Sequence, residues 1–196
     1  MARSDKMLKA FQLFDEANGK DPNKEEFEGR LIPKELLYAM RMTDRLESFD
    51  SQASEPLQLT ARCQHICRWE IPRDSYEMNR VGYLKWRQEL KKFHAGKASE
   101  ILNRVGYDEE TIKKVVFLLE KKQLKKNEET QTLEDVICLV FLEFYFEPFM
   151  QKHDTSKLIG ILQKTWQKMS AKGQQEALKL PLSKVTLDLI SKALQN

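Results

Sequence analysis

Cys63, His65 and Cys67, two of the chain's three cysteines and one of its three histidines, fall within a stretch that also carries Trp69, Arg62, Arg68 and Arg73. Thiolate and imidazole both bind zinc, so a metal centre is the first chemistry to weigh. On a helix Cys63 and Cys67 share a face at i, i+4, but His65 stands roughly 200° around the axis from Cys63, and no fourth ligand is near in sequence. The cysteines therefore read as small buried hydrophobes. Leu59, Cys63, Ile66 and Cys67 recur at helical spacing with Arg62, His65, Arg68 and Trp69 on an adjoining face, which predicts one helix running to Pro72. Proline there disfavours helical geometry at Ile71 and withdraws a donor.

Two other fragments, His65-Ile-Cys-Arg68 and Lys168-Met-Ser-Ala-Lys172, echo the nucleotide motifs of class I aminoacyl-tRNA synthetases. Those motifs work at a strand-to-helix turn of an α/β sheet. Inside helices they are chance. The run Lys121-Lys-Gln-Leu-Lys-Lys126 has no interleaved aromatics, so nucleic acid is an improbable partner, and this run and His153 read as a solvated helix end and face.

The elements that must position these groups are helical. Glycine (7) and proline (6) are scarce in 196 residues, 32% of residues are charged and 41% are hydrophobic, which predicts an all-α fold in a single domain spanning 1–196. Basic and acidic residues, 33 and 30, nearly cancel. An odd cysteine count without an apolar leader suggests a reducing, cytoplasmic setting. No window has the roughly 18 apolar residues of a membrane span, so no membrane partner is expected.

Ser4 is placed to cap a first helix through Phe14, with left-handed geometry expected at Gly19 beyond it. Gly19 to Ile32, broken by Pro22 and Gly29, reads as a surface loop. Pro33 suits the first turn of a second helix carrying Leu36, Leu37 and Met40. Asp74 to Asn79 is a second surface turn, followed by a helix from Arg80 to Val105 that closes at Gly106. Asp108 with Glu109 and Glu110 starts the next. Thr132 to Met150 is the most apolar helix, bent or ended by Pro148. Asp154 caps another, and Gly173 and Pro181 separate two short terminal helices.

One pattern is spread over the chain. Tyr38-Ala-Met-Arg41, Leu59-Thr-Ala-Arg-Cys-Gln-His65-Ile66, Phe93-His94 and Gln131-Thr-Leu-Glu-Asp135 follow one another in an order that resembles the HD-domain phosphohydrolases. These are helical proteins in which histidines and aspartates hold a divalent metal that activates water against a phosphate ester. The resemblance covers about residues 33–150 and implies an HD-like core there, with helices over 154–195 packed on it. By resemblance His65, His94 and Asp135 take the catalytic positions, and His65 and Asp135 those of metal ligands. Ile66 stands in place of the pair's aspartate and Tyr38 in place of the first histidine. An alkane gives a hard cation no lone pair, so a bound metal, and hydrolysis through it, is in question.

The whole chain also resembles an uncharacterised family known only as a domain of unknown function, some members of which are labelled glutamyl-tRNA synthetase. Pro33-Lys-Glu-Leu-Leu-Tyr38, Gln64 to Arg73, Tyr83-Leu-Lys-Trp-Arg87 and Gln131 to Glu143 carry that likeness. In HD-like packing Tyr38, Arg41, His65, Arg68, Trp69, His94, Glu134 and Asp135 would converge on one pocket. Such a mix suits a nucleotide or another phosphorylated small molecule, with Arg41 and Arg68 as phosphate partners. The alternative is a non-catalytic interaction module that binds a protein partner through Phe144 to Phe149 or the C-terminal helices.

Overall fold

Short polar side chains set most of the helix starts. A computed structural model describes residues 3–195. It contains, among the described residues, ten α-helices and one two-stranded hairpin, so the fold is all-α as the composition predicts. The chain divides into two compact units between Lys122 and Gln123.

The first unit runs α1 (Asp5–Asn18), β1 (Lys24–Phe27), β2 (Arg30–Pro33), α2 (Lys34–Phe49), α3 (Glu55–Cys63), α4 (Arg80–Val105) and α5 (Glu109–Leu119). Ser4, Ser54, Asn79 and Asp108 cap α1, α3, α4 and α5 by accepting from the backbone N–H three residues on. Gly106 ends α4 at φ 89°, the left-handed geometry that glycine adopts cheaply. The core joins Met7, Phe11 and Phe14 of α1 to Leu59 and Cys63 of α3, Ala98 and Leu102 of α4, and Val115 and Leu119 of α5. Both Cys63 and Cys67 are buried, and burial pushes their thiols up, Cys67 to about 11, which keeps them protonated and inert.

The second unit runs α6 (Glu128–Val140), a wide π-turn at Phe141–Tyr145, α7 (Phe146–Met150), α8 (Thr155–Lys168), α9 (Ala171–Ala177) and α10 (Lys184–Leu194). Asn127, Asp154, Ser170 and Ser183 cap α6, α8, α9 and α10 in the same way. Val136, Leu139, Leu142 and Phe146 are fully buried. No helix among the described residues is long and apolar enough to cross a membrane.

Several expectations are corrected. Gly19 to Ile32 is not a plain loop: β1 and β2 pair antiparallel from Lys24↔Pro33 to Phe27↔Arg30. Glu28 and Gly29 turn the hairpin with φ of 51° and 74°, the paired positive values whose twist suits flanking strands. Gly19 has φ −63°, right-handed rather than left-handed. Pro33 is the last residue of β2, and its place as a cap is filled by Asp21, whose Oδ2 accepts from the Glu35 N–H at 3.0 Å. The apolar helix starts at Glu128, not Thr132, and widens just before Pro148, which has no N–H to donate to the preceding turn. Gly173 lies inside α9 instead of between helices. Lys121 to Lys126 is a turn, not a helix end, with positive φ at Lys121, Gln123 and Lys125.

The largest correction concerns Leu59 to Arg73. Helix α3 ends at Cys63, followed by a turn through Cys67 and a single 3₁₀ turn at Arg68–Glu70, not one helix to Pro72. Tertiary partners replace the helical ladder there. The Cys67 N–H donates to Asn18 Oδ1 at 3.0 Å, the Ile66 carbonyl pairs with His94 Nδ1 at 2.8 Å, and Cys67 sits at φ 53°. Arg62 does not share a face with His65; it holds Asp15 through Nε at 2.8 Å and Nη2 at 2.6 Å.

Candidate functional site

The first unit brings together side chains from three segments. On α2, Glu35 and Tyr38 lie three apart and so on one face. The turn after α3 presents His65 and Arg68, and α4 presents Trp86, Arg87 and His94. Asp21 fixes where α2 begins, and Asn18 and His94 fix the turn, so each segment is held by a buried polar contact.

His65 stacks on Tyr38 with ring centroids 4.1 Å apart and planes at 12°. Its Nδ1 lies 3.4 Å from Arg68 Nη1 and 3.6 Å from Glu35 Oε2. A guanidinium only donates, so Nδ1 accepts and the ring proton is on Nε2. His94 lies beyond, its ring 5.9 Å from that of His65. The Ile66 carbonyl only accepts, so His94 carries its proton on Nδ1 and a lone pair on Nε2. That Nε2 is buried and has no hydrogen-bond partner among the described residues.

Electrostatics keep both rings neutral. Burial lowers His65 well below the usual histidine range, and the nearby charges of Arg68, Arg87, Lys121 and Lys34 lower it further. His94 is pushed down to about 3, mainly by burial and then by His65. Burial raises Glu35, against the pull of Arg68 and Lys34. The contact of His65 with Glu35 is therefore not an ion pair.

Arg68 is half-buried, its guanidinium 5.2 Å from the centre of the Trp86 ring. Trp86 is locked by donating from Nε1 to the Ile71 carbonyl at 2.9 Å. Among the described residues Arg68 makes no ion pair.

Of the eight residues singled out in the sequence, Tyr38, His65, Arg68 and His94 meet here. Arg41 ties α2 to the hairpin instead, pairing with Glu25 at 2.6 Å and lying 5.6 Å over Phe27. Trp69 packs against the apolar core, and Trp86 supplies the aromatic face for Arg68. Glu134 and Asp135 belong to the second unit. Glu134 is buried and pairs with Lys168 at 3.5 Å. Asp135 accepts from the Ser170 N–H at 2.7 Å, the Ser170 hydroxyl at 2.5 Å and Gln131 Nε2 at 3.0 Å. Both of its oxygens thus hold the start of α9.

Glu35, Trp86 and Arg87 are the members that motif reasoning passed over. Each had one signal, its place in a segment that carries the family likeness, Glu35 in Pro33-Lys-Glu-Leu-Leu-Tyr38 and Trp86 and Arg87 in Tyr83-Leu-Lys-Trp-Arg87. The donor set does not fit a resident divalent metal. Among the described residues no group of three or more His, Cys, Asp or Glu is placed to hold one, and Ile66 is a fully buried alkane.

Residues 8–190 match the family described as Domain of unknown function (DUF4202). The chain belongs to that family. Neither a curated protein nor a solved structure was found to match it. All the residues of the DUF4202 cluster, from Glu35 to His94, lie within the matched span.

Proposed function

We propose that this DUF4202 protein binds a phosphorylated small molecule, nucleotides included, at Arg68 beside the Tyr38–His65 stack. The observation that carries the reading is a half-buried guanidinium, braced on an indole and without an ion pair among the described residues. Such a group is preorganised for bidentate contact with phosphate. Lys34 and Arg87 add positive charge around His65.

Binding has more support than hydrolysis. His65 and His94 are neutral, and a general acid needs the imidazolium. Asp135, the remaining catalytic candidate, has its carboxylate engaged by Ser170 and Gln131. The likeness to HD-domain phosphohydrolases, in the order Tyr38, His65-Ile66, His94 and Asp135, supports the same ligand class. A protein-interaction role for the second unit has one observation in its favour. Leu187 and Leu194, seven apart on α10, are 41% and 47% exposed. By contrast, Phe144, Tyr145 and Phe149 are half-buried.

Thermal melting with millimolar inorganic phosphate, AMP, ribose 5-phosphate and glucose 6-phosphate tests the binding reading. At about a hundred times its dissociation constant a ligand stabilises by about 2.7 kcal/mol. At least one of these compounds should raise the melting temperature of the native protein, and Arg68→Ala should abolish the rise. No rise with any of them would refute the reading.

A further inference from the structure

The two imidazoles leave opposite valences open. His65 accepts from Arg68 on Nδ1 and so carries a proton on Nε2, while His94 donates from Nδ1 to the Ile66 carbonyl and so has a lone pair on Nε2. His94 Nε2 has no hydrogen-bond partner among the described residues, and the polar contacts of His65 are made by its Nδ1. His94 is only 4% exposed, so its lone pair is withheld from bulk solvent, and a buried acceptor left unmatched is costly. The rings are 5.9 Å apart and tilted by 35°. A donor on one ring and an acceptor on its neighbour match a group that both accepts and donates through a single oxygen, a water or an alcohol, and of these only the alcohol can be part of a phosphorylated ligand. An oxygen of a doubly ionised phosphate monoester, which only accepts, cannot satisfy His94.

We infer that the ligand is a phosphate monoester carrying a free alcohol, whose oxygen accepts from His65 Nε2 and whose proton is donated to His94 Nε2. The inference rests on the phosphate-binding reading and narrows it to polyol or sugar phosphates, ribose-bearing nucleotides among them. Arg68 holds the phosphate, and the histidine pair selects the alcohol. Tyr38, stacked on His65, keeps that ring in the orientation the pair requires. His65 and His94 are therefore specificity-determining residues that need no change of protonation.

The test compares two phosphates that differ in hydroxyls alone, glycerol 3-phosphate and propyl phosphate, by titration calorimetry, with inorganic phosphate as the probe of Arg68. Glycerol 3-phosphate should bind about tenfold more tightly than propyl phosphate, the effect of one well-made hydrogen bond at a buried acceptor. His94→Phe should remove the difference between the two esters, so that whatever affinity remains is the same for both. Because His94 is buried, a second readout uses the native protein. The ¹⁵N resonance of the unprotonated Nε2 of His94 should move with glycerol 3-phosphate and stay still with propyl phosphate. Equal affinities with an unmoved resonance would overturn the inference and leave the phosphate reading standing. No binding of inorganic phosphate or of either ester would overturn both.

Discussion

His94 shows how one side chain serves fold and site together. Its Nδ1 proton fastens the Ile66 carbonyl, and its burial keeps the ring neutral. In the unfolded chain the pKa returns to about 6.5, whereas in the folded chain it is about 3. Between those values the unfolded state binds the extra proton, so this contribution is complete above about pH 6.5 and is lost as pH falls towards 3. His65 acts in the same direction. Glu35, raised by burial, acts oppositely, its contribution present at low pH and lost as pH rises through its folded value. Stability to denaturant should accordingly fall as pH drops from 6.5 to 5, by about 1.4 kcal/mol per pH unit through His94, and His94→Leu should remove that share of the slope. A slope that His94→Leu leaves unchanged would place the histidine in a solvated setting. In the second unit, a Cβ at Gly173 would stand 2.6 Å from Asp135 Oδ1, and one at Gly160 would meet nothing within 4 Å. Gly173→Ala should cost about 2 kcal/mol in chemical denaturation. Gly160→Ala, in mid-helix, should stabilise by about 0.5–1 kcal/mol.

At the scale of elements, what the sequence revealed was local and what it concealed was tertiary. Ser4, Asp108, Asp154 and Gly106 act within four residues of themselves, and their helix ends were legible. The end of α3 was not, because the groups that halt it, Asn18 and His94, lie 49 and 28 residues from their partners Cys67 and Ile66. Apolar spacing continues through Ile66 and Cys67, both buried, so periodicity alone ran the helix on. The hairpin was hidden because Glu28, rather than Asn or Asp, holds the first left-handed position of its turn. Likewise α2 is capped by Asp21, 14 residues before the N–H it serves. Asn18→Ala should release the turn that carries His65 and Arg68, costing about 1–3 kcal/mol for the orphaned Cys67 N–H and weakening phosphate binding as well. Loss of stability with intact binding would show that the turn is positioned by other contacts.

For the whole molecule, scarce glycine and proline and a high charged share were enough to predict an all-α protein, and the structure bears this out. Of the candidate site, Tyr38, His65, Arg68 and His94 were legible from order and residue type. Glu35 and Trp86 were not, since a single carboxylate or a single indole at helical spacing reads as surface or core until its neighbours are placed. Membership of the DUF4202 family spans both compact units. The proposed chemistry converges on one guanidinium, that of Arg68. The most direct measurement is therefore calorimetric titration of ribose 5-phosphate into the native protein and into Arg68→Ala. Saturable one-to-one binding by the native chain, weakened at least about tenfold in the variant at equal unliganded stability, is the predicted result. Equal binding by both proteins, or none by the native chain, would contradict it.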